Sequence, residues 1–166
     1  INVLLSQYAE FPLTTDLNQL TENEKKMIPI LIEVADIMED IFWQNAYGDK
    51  STLMAQFAQD SAALKYLSIN YGPWDRLNDN KPFIDGVGAK PLGANFYPAD
   101  MTKEEFDTLD DPRKTDWYSV IRRDATGKLI VLSFHEAYPE EVAKASKLLE
   151  KAAELAEDPG LKNYLA

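Results

Sequence analysis

The stretch from Thr21 to Ala46 constrains this chain more than any other segment, because it carries a helix start signal followed by a long helical period. In Thr21-Glu22-Asn23-Glu24 the hydroxyl of Thr21 and the carboxylate of Glu24 can satisfy each other's orphan backbone amides, which is a capping box. Met27, Leu31, Val34, Met38 and Ile41 then recur at three- and four-residue steps, and Ile28, Ile32, Ala35 and Phe42 widen that stripe. Glu33, Asp36 and Asp40 share the opposite face, so the pattern predicts one long amphipathic helix with those apolar residues turned inward. Pro29 is expected to kink the helix or delay its regular start. Tyr47-Gly48-Asp49 ends it, with Gly48 as the C-terminal cap.

Around this helix the chain divides by local signals. Residues 1–20 read as an irregular arm containing Pro12 and Thr14-Thr15-Asp16, and residues 21–69 as helical, with shorter helices over 51–59 and 61–68. Residues 70–100 hold four prolines and four glycines and read as a long ordered loop. A loop of that length inside a compact domain is uncommon and is usually functional. Residues 101–134 read as a short helix, capped by Asp100 or Thr102, and a β-hairpin. Its strands are Trp117 to Arg123 and Leu129 to Phe134, joined by Asp124-Ala125-Thr126-Gly127-Lys128. Residues 140–166 read as C-terminal helices. The first runs from Glu140 to about Glu157, with Val142, Leu148, Leu149, Ala152 and Leu155 inward, and Asp158-Pro159-Gly160 stops it. The expected class is α+β, predominantly helical with a small antiparallel sheet, as a single domain or one lobe of a two-lobe protein.

A chain of 166 residues with 45% hydrophobic and 11% aromatic residues can bury a core. Its net charge of -11 would repel a phosphate backbone and no basic stripe offsets it, so nucleic acid is not an expected partner. No apolar run approaches the roughly 18 residues that span a bilayer. The absence of cysteine excludes disulfides, thiolate metal sites and a cysteine nucleophile. The start at Ile1-Asn2-Val3 suggests a processed chain, compatible with an exported, periplasmic or lipid-anchored precursor as well as with a cytoplasmic protein.

His135 is the one histidine. With Glu136 it begins the zinc-hydrolase pattern H-E-x-x-H, which needs two imidazoles one helical turn apart. The fourth position onward is Pro139, which cannot coordinate metal, and the pair follows a predicted strand, so His135 reads as a strand-end residue. The acidic pairs Glu39-Asp40, Glu104-Glu105, Asp110-Asp111 and Glu140-Glu141 read as solvated surface. Asp75 to Asn80 lacks the central Gly and closing Glu of a calcium loop and reads as an Asn/Asp turn. Gly86-Val87-Gly88 and Gly93 do not have the spacing or the strand–turn–helix setting of a dinucleotide loop. No phosphate-binding loop or nucleophile elbow occurs. No catalytic residue and no metal ligand is therefore assigned.

The segments Asn70-Tyr71-Gly72-Pro73-Trp74-Asp75-Arg76-Leu77 and Gly93-Ala94-Asn95-Phe96-Tyr97-Pro98 are the most distinctive. Aromatics set among Gly and Pro, with an Asp-Arg pair, suit a ligand cleft, and the candidate substrate-binding residues are Tyr71, Trp74, Asp75, Arg76, Asn95 and Tyr97. The competing explanation is a loop that lies over the helices, with Tyr71, Trp74, Phe96 and Tyr97 as buried anchors.

These strings also carry a family resemblance. Phe11-Pro-Leu-Thr-Thr-Asp-Leu, Thr21-Glu-Asn-Glu-Lys-Lys-Met-Ile-Pro, Tyr47-Gly-Asp-Lys, Asn70-Tyr-Gly-Pro-Trp-Asp-Arg-Leu, Gly93-Ala-Asn-Phe-Tyr-Pro-Ala-Asp-Met-Thr and Tyr118-Ser-Val-Ile-Arg-Arg-Asp resemble the N-terminal region of bacterial proteins related to dipeptidyl peptidase III. The resemblance implies a zinc-dependent metallopeptidase that removes dipeptides from peptide N-termini and has two lobes about a wide cleft. The zinc motif, H-E-x-x-G-H or H-E-x-x-H, and its acidic companion do not occur in this chain. Residues 1–166 are then expected to be a non-catalytic part of the cleft. Zinc would lie in the full-length parent, and the partners would be the peptide substrate and the zinc-binding lobe of the same chain. Some relatives are fused to Nudix hydrolases, whose Gly-and-Glu signature is absent here. The alternative is a stand-alone acidic, helix-rich module that binds a peptide or protein through residues 70–100.

Overall fold

The computed structural model describes residues Ile1–Ala166. Helix predominates, and two small antiparallel sheets complete an α+β chain. The helices are α1 (Asn2–Leu5), α2 (Glu22–Ala46), α3 (Lys50–Gln56), α4 (Ser61–Asn70), α5 (Lys103–Thr108), α6 (Phe134–Ala137), α7 (Pro139–Leu155) and α8 (Pro159–Leu165). Strands β1 (Trp74–Asp75) and β2 (Lys81–Pro82) pair in one ladder, and β3 (Ser119–Arg123) and β4 (Leu129–Ser133) in the other. No helix is long and apolar enough to cross a membrane.

Helix starts follow the local chemistry of the sequence. Thr21 accepts from the Glu24 amide at 3.2 Å, and Glu24 accepts from the Thr21 amide at 2.8 Å, closing the expected box. Asp49, Asp60 and Asp158 each accept an amide of the first turn of α3, α4 and α8. Such caps satisfy donors that the helix itself leaves open. Asp49 also accepts from the Thr52 and Ser51 hydroxyls, and these bonds, led by Thr52, hold its carboxyl down at about 2. Of the two expected caps for α5, Thr102 performs the role, in a full box with Glu105. Asp100 turns instead to Arg123. Helix α2 runs through Pro29 without a break.

The chain divides into two compact units, one of Ile1–Phe11 with Phe42–Val131, the other of Pro12–Ile41 with Leu132–Ala166. In the second unit Met27, Ala152 and Ala156 form one buried cluster, and Ile37, Ala145 and Leu148 another, with Ile30 and Val34 packed beside them. The buried stripe of α2 is thus Met27, Ile30, Val34, Ile37 and Ile41, a strict three–four repeat. This corrects the expected face: Met38 and Ile32, taken as inward, are 41% and 57% exposed. The small side chains Ala145, Ala152 and Ala156 explain the choice, since they let helices approach closely where a bulky residue could not.

In the first unit Trp43, Leu53 and Leu67 are the buried centre, with Tyr47, Met54, Phe57, Tyr71, Phe83 and Ile84 around them. Its hairpin strands bury Val120, Ile121 and Val131. Asp124 closes the turn by accepting from Thr126 and Lys128 amides, at 2.8 and 3.0 Å.

His135 lies on a helical turn and not at a strand end. Ser133 caps α6 through a box with Glu136, whose carboxylate accepts the Ser133 amide at 2.8 Å. The Ser-x-x-Glu signal overrides the strand pattern at Phe134.

Candidate functional site

The loop over residues 70–100 starts where α4 ends. Tyr71 adopts a left-handed conformation (φ 54°) as the C-terminal cap, and Gly72 follows at φ 142°. A Cβ on Gly72 would stand 3.3 Å from the Trp74 ring, so only glycine lets that indole fold back. Trp74 is buried, and its Nε1 donates to the Gly88 carbonyl at 2.9 Å. Strand β1 then pairs with β2, Trp74 opposite Pro82 and Asp75 opposite Lys81. One indole thus ties the start of the loop to its middle.

The six sequence-predicted residues divide by role. Tyr71 packs edge-on against Phe42, with ring centres 4.7 Å apart, and Arg76 lies over its ring. Arg76 also donates to the carbonyl of Ile69, in the last turn of α4, where the helix dipole favours a cation. Asp75 is buried, accepting the Leu77 amide at 2.9 Å. Asn95 clamps the far end of the loop: its side-chain amide donates to Gln44 O at 3.0 Å and its backbone amide to Asn45 O at 2.8 Å. Tyr71, Trp74, Asp75, Arg76 and Asn95 therefore hold the loop in place. Tyr97 alone lines open space.

That space is a cleft of about 570 Å³, bordered by Asn80, Lys90, Leu92, Phe96 and Tyr97 among others. Leu92 is 98% exposed, and the Lys90 ammonium sits 3.4 Å from Asn80 Oδ1 and above the Trp74 ring. Tyr97 is fixed by Phe106 at 6.5 Å between ring centres and by Gly93 beneath it. An apolar wall with one cation, one carboxylate (Asp79) and an amide suits a peptide-like ligand with a side chain to bury and backbone groups to bind.

Three basic residues, absent from the sequence candidates, brace this wall. Arg122 donates to the Asn95 carbonyl at 3.0 Å. Arg123 bonds both oxygens of Asp100 and of Glu105, and also the Gly127 carbonyl at 2.8 Å. Lys114 spends its ammonium protons on the Phe106, Asp107 and Leu109 carbonyls at the end of α5. Arg123 holds the Asp100 and Glu105 carboxyls below their ordinary range. The adjacent Arg-Arg dipeptide was the available signal, but sequence spacing does not say that Arg123 meets acids so far upstream.

Beneath the loop, Tyr66 is fully buried and its hydroxyl has no hydrogen bond of ordinary length. Burial first, and then the nearby Asp75 carboxylate, push the phenol up to about 12. The unfolded chain ionises at the usual value of 10 and the folded chain does not. The Tyr66 contribution to stability is therefore constant below pH 10 and falls as pH rises from 10 to 12. Of the eight tyrosines, ultraviolet titration should find one that ionises only with unfolding. Tyr66→Phe should remove that high-pH loss and raise stability by about 1 kcal/mol, since an unsatisfied hydroxyl is deleted. A marked loss of stability instead would mean the hydroxyl is bonded to Asp75.

No group of three or more acidic, histidine or cysteine side chains is placed to hold a metal. His135 is exposed, with Nε2 3.5 Å from the Ser133 hydroxyl, and Asp75 is committed to its own turn. The donor set of these residues does not fit a zinc centre.

A scan of protein-family descriptions finds no match. Comparison with solved structures finds two bacterial dipeptidyl peptidase III folds. The structure of DPP III from Caldithrix abyssi is 38% identical and covers 99% of this chain at a TM-score of 0.91; the dipeptidyl-peptidase III from Corallococcus sp. strain EGB is 30% identical over 99% at 0.88. The chain spans 33% of each of those chains. Among curated proteins, Nudix hydrolase 3 of Arabidopsis thaliana is 27% identical over 222 residues, across 97% of this chain and 29% of the plant protein. Residues 1–166 thus have the fold of one third of two dipeptidyl peptidase III chains.

Proposed function

We propose that residues 1–166 are the N-terminal, non-catalytic part of a zinc-dependent dipeptidyl peptidase III-like enzyme that removes dipeptides from peptide N-termini, and that they form part of its substrate cleft. The observation that supports this most is the 38% identity at a TM-score of 0.91 over nearly the whole chain. The plant relative is called a Nudix hydrolase, but the Glu array that such chemistry needs is absent from this chain.

In this reading the chemistry belongs to zinc ligands outside these residues, and the work of this chain is to bind and orient. Tyr97, Lys90 and Leu92 contact the peptide, while Tyr71, Trp74, Asp75, Arg76 and Asn95 keep the wall rigid. Such positioning matters because a misplaced substrate loses the proximity advantage. The hairpin offers little free edge for pairing with a peptide. The Ile121 amide already donates to Phe96 O at 3.1 Å, and Arg113 donates to Val131 O at 3.1 Å.

The test is steady-state hydrolysis of a dipeptidyl arylamide by the longer chain carrying Tyr97→Ala or Lys90→Ala. Each substitution should raise KM about tenfold, roughly 1.4 kcal/mol of binding, with kcat little changed, because the lost contact acts on ground and transition states alike. Unchanged KM in both variants would remove the cleft from the proposal.

A further inference from the structure

Helix α2 carries a second apolar stripe besides its buried one. Ile28, Ile32, Ala35 and Met38 follow one another at steps of four, three and three residues, so they share one face. Most of this face is left open within its unit: Ile32 is 57% and Met38 41% exposed, Ala35 is also exposed, and Ile28 is half-buried. Scattered surface apolar residues need no explanation, but three exposed ones at helical spacing on one face mark an interaction surface.

We propose that this face is where an amphipathic helix from the remaining polypeptide of the longer protein docks. Two features favour that occupant. The matched structures are about three times the length of this chain, so some two thirds of such a polypeptide lies outside residues 1–166. Exposed Glu39 also lies within this face, one turn after Ala35, and exposed Asp36 flanks it, on a chain of net charge -11, so a second copy would bring acid against acid. A partner helix with apolar residues at the same spacing and Lys or Arg at its margins fits both the surface and its charge. The inference rests on the proposed function only in requiring the longer chain.

Because residues 1–166 contain no cysteine, single cysteines report on this face directly. In the longer chain, with any cysteines outside residues 1–166 first replaced, Ile32→Cys, Met38→Cys and, on the opposite exposed face, Lys26→Cys are labelled with a maleimide. The first two should react at least tenfold more slowly than the third, at every protein concentration. Equal rates would overturn the proposal, and so would protection that disappears on dilution, which would assign the face to a second copy. Dipeptide release by the same proteins is scored separately. A chain that cleaves peptides but labels freely at Met38 sinks this inference alone, whereas one that protects Met38 without cleaving sinks the proposed activity.

Discussion

Trp43→Ala should lower the unfolding free energy by about 3–5 kcal/mol, the range for deleting a large aromatic from a closed core. Trp43 is 1% exposed and joins Leu53 and Leu67 at the centre of the first unit. Tyr71 leans on the same indole at 5.2 Å between ring centres, and Lys50 stands over it. The void would therefore open beneath the cap from which the 70–100 loop departs. Urea denaturation followed by circular dichroism measures the effect, and a loss under 1 kcal/mol would show that the loop is not anchored there. Trp74 and Trp117 remain as probes, and Trp74, buried in the loop, should report the loosening.

Gly93→Ala should damage the cleft directly. Gly93 has φ +75°, and a Cβ there would stand 2.4 Å from Cδ2 of Tyr97, closer than any real contact. The left-handed backbone costs about 1–3 kcal/mol for a side-chain-bearing residue, and the Tyr97 ring must also swing away from Phe106. Gly86→Ala is the matched control: φ is +81° there, but a Cβ meets nothing within 4 Å. Both substitutions should lower the melting temperature, and only the first should raise KM for peptide. Equal KM values would mean that the Tyr97 ring position is irrelevant to binding.

Much of the fold was legible because its signals are local. Thr21 and Glu24, Asp49, Asp60, Thr102 and Asp158 name the helix starts through side chains that reach only two or three residues. The hairpin was equally plain, with Asp124 and Gly127 between two apolar runs. What failed depended on distant partners. The inward face of α2 is selected by the alanines of α7, so periodicity alone took Met38 inward and left out Ile37. His135 failed for a different reason, since a capping box at Ser133 and Glu136 was masked by the apolar run before it.

The site shows the same division. Aromatic, glycine and proline content reads as a loop over residues 70–100, within which the structure adds the short ladder of β1 and β2. Composition could not separate residues that hold the loop from a residue that faces the cleft, because Trp74 and Tyr97 look alike until burial distinguishes them. Arg123 was missed because its importance lies in joining Asp100, Glu105 and Gly127, pairings that only the folded chain brings together.

The central claim is that these residues belong to a dipeptide-releasing enzyme. Its most direct test is mass spectrometry of an unmodified peptide incubated with the longer chain, with and without a zinc chelator. Successive loss of two residues at a time from the amino terminus is the expected result, abolished by the chelator and absent with residues 1–166 alone. Release of single residues, internal cleavage, or an intact peptide beside hydrolysed nucleoside diphosphates would contradict it.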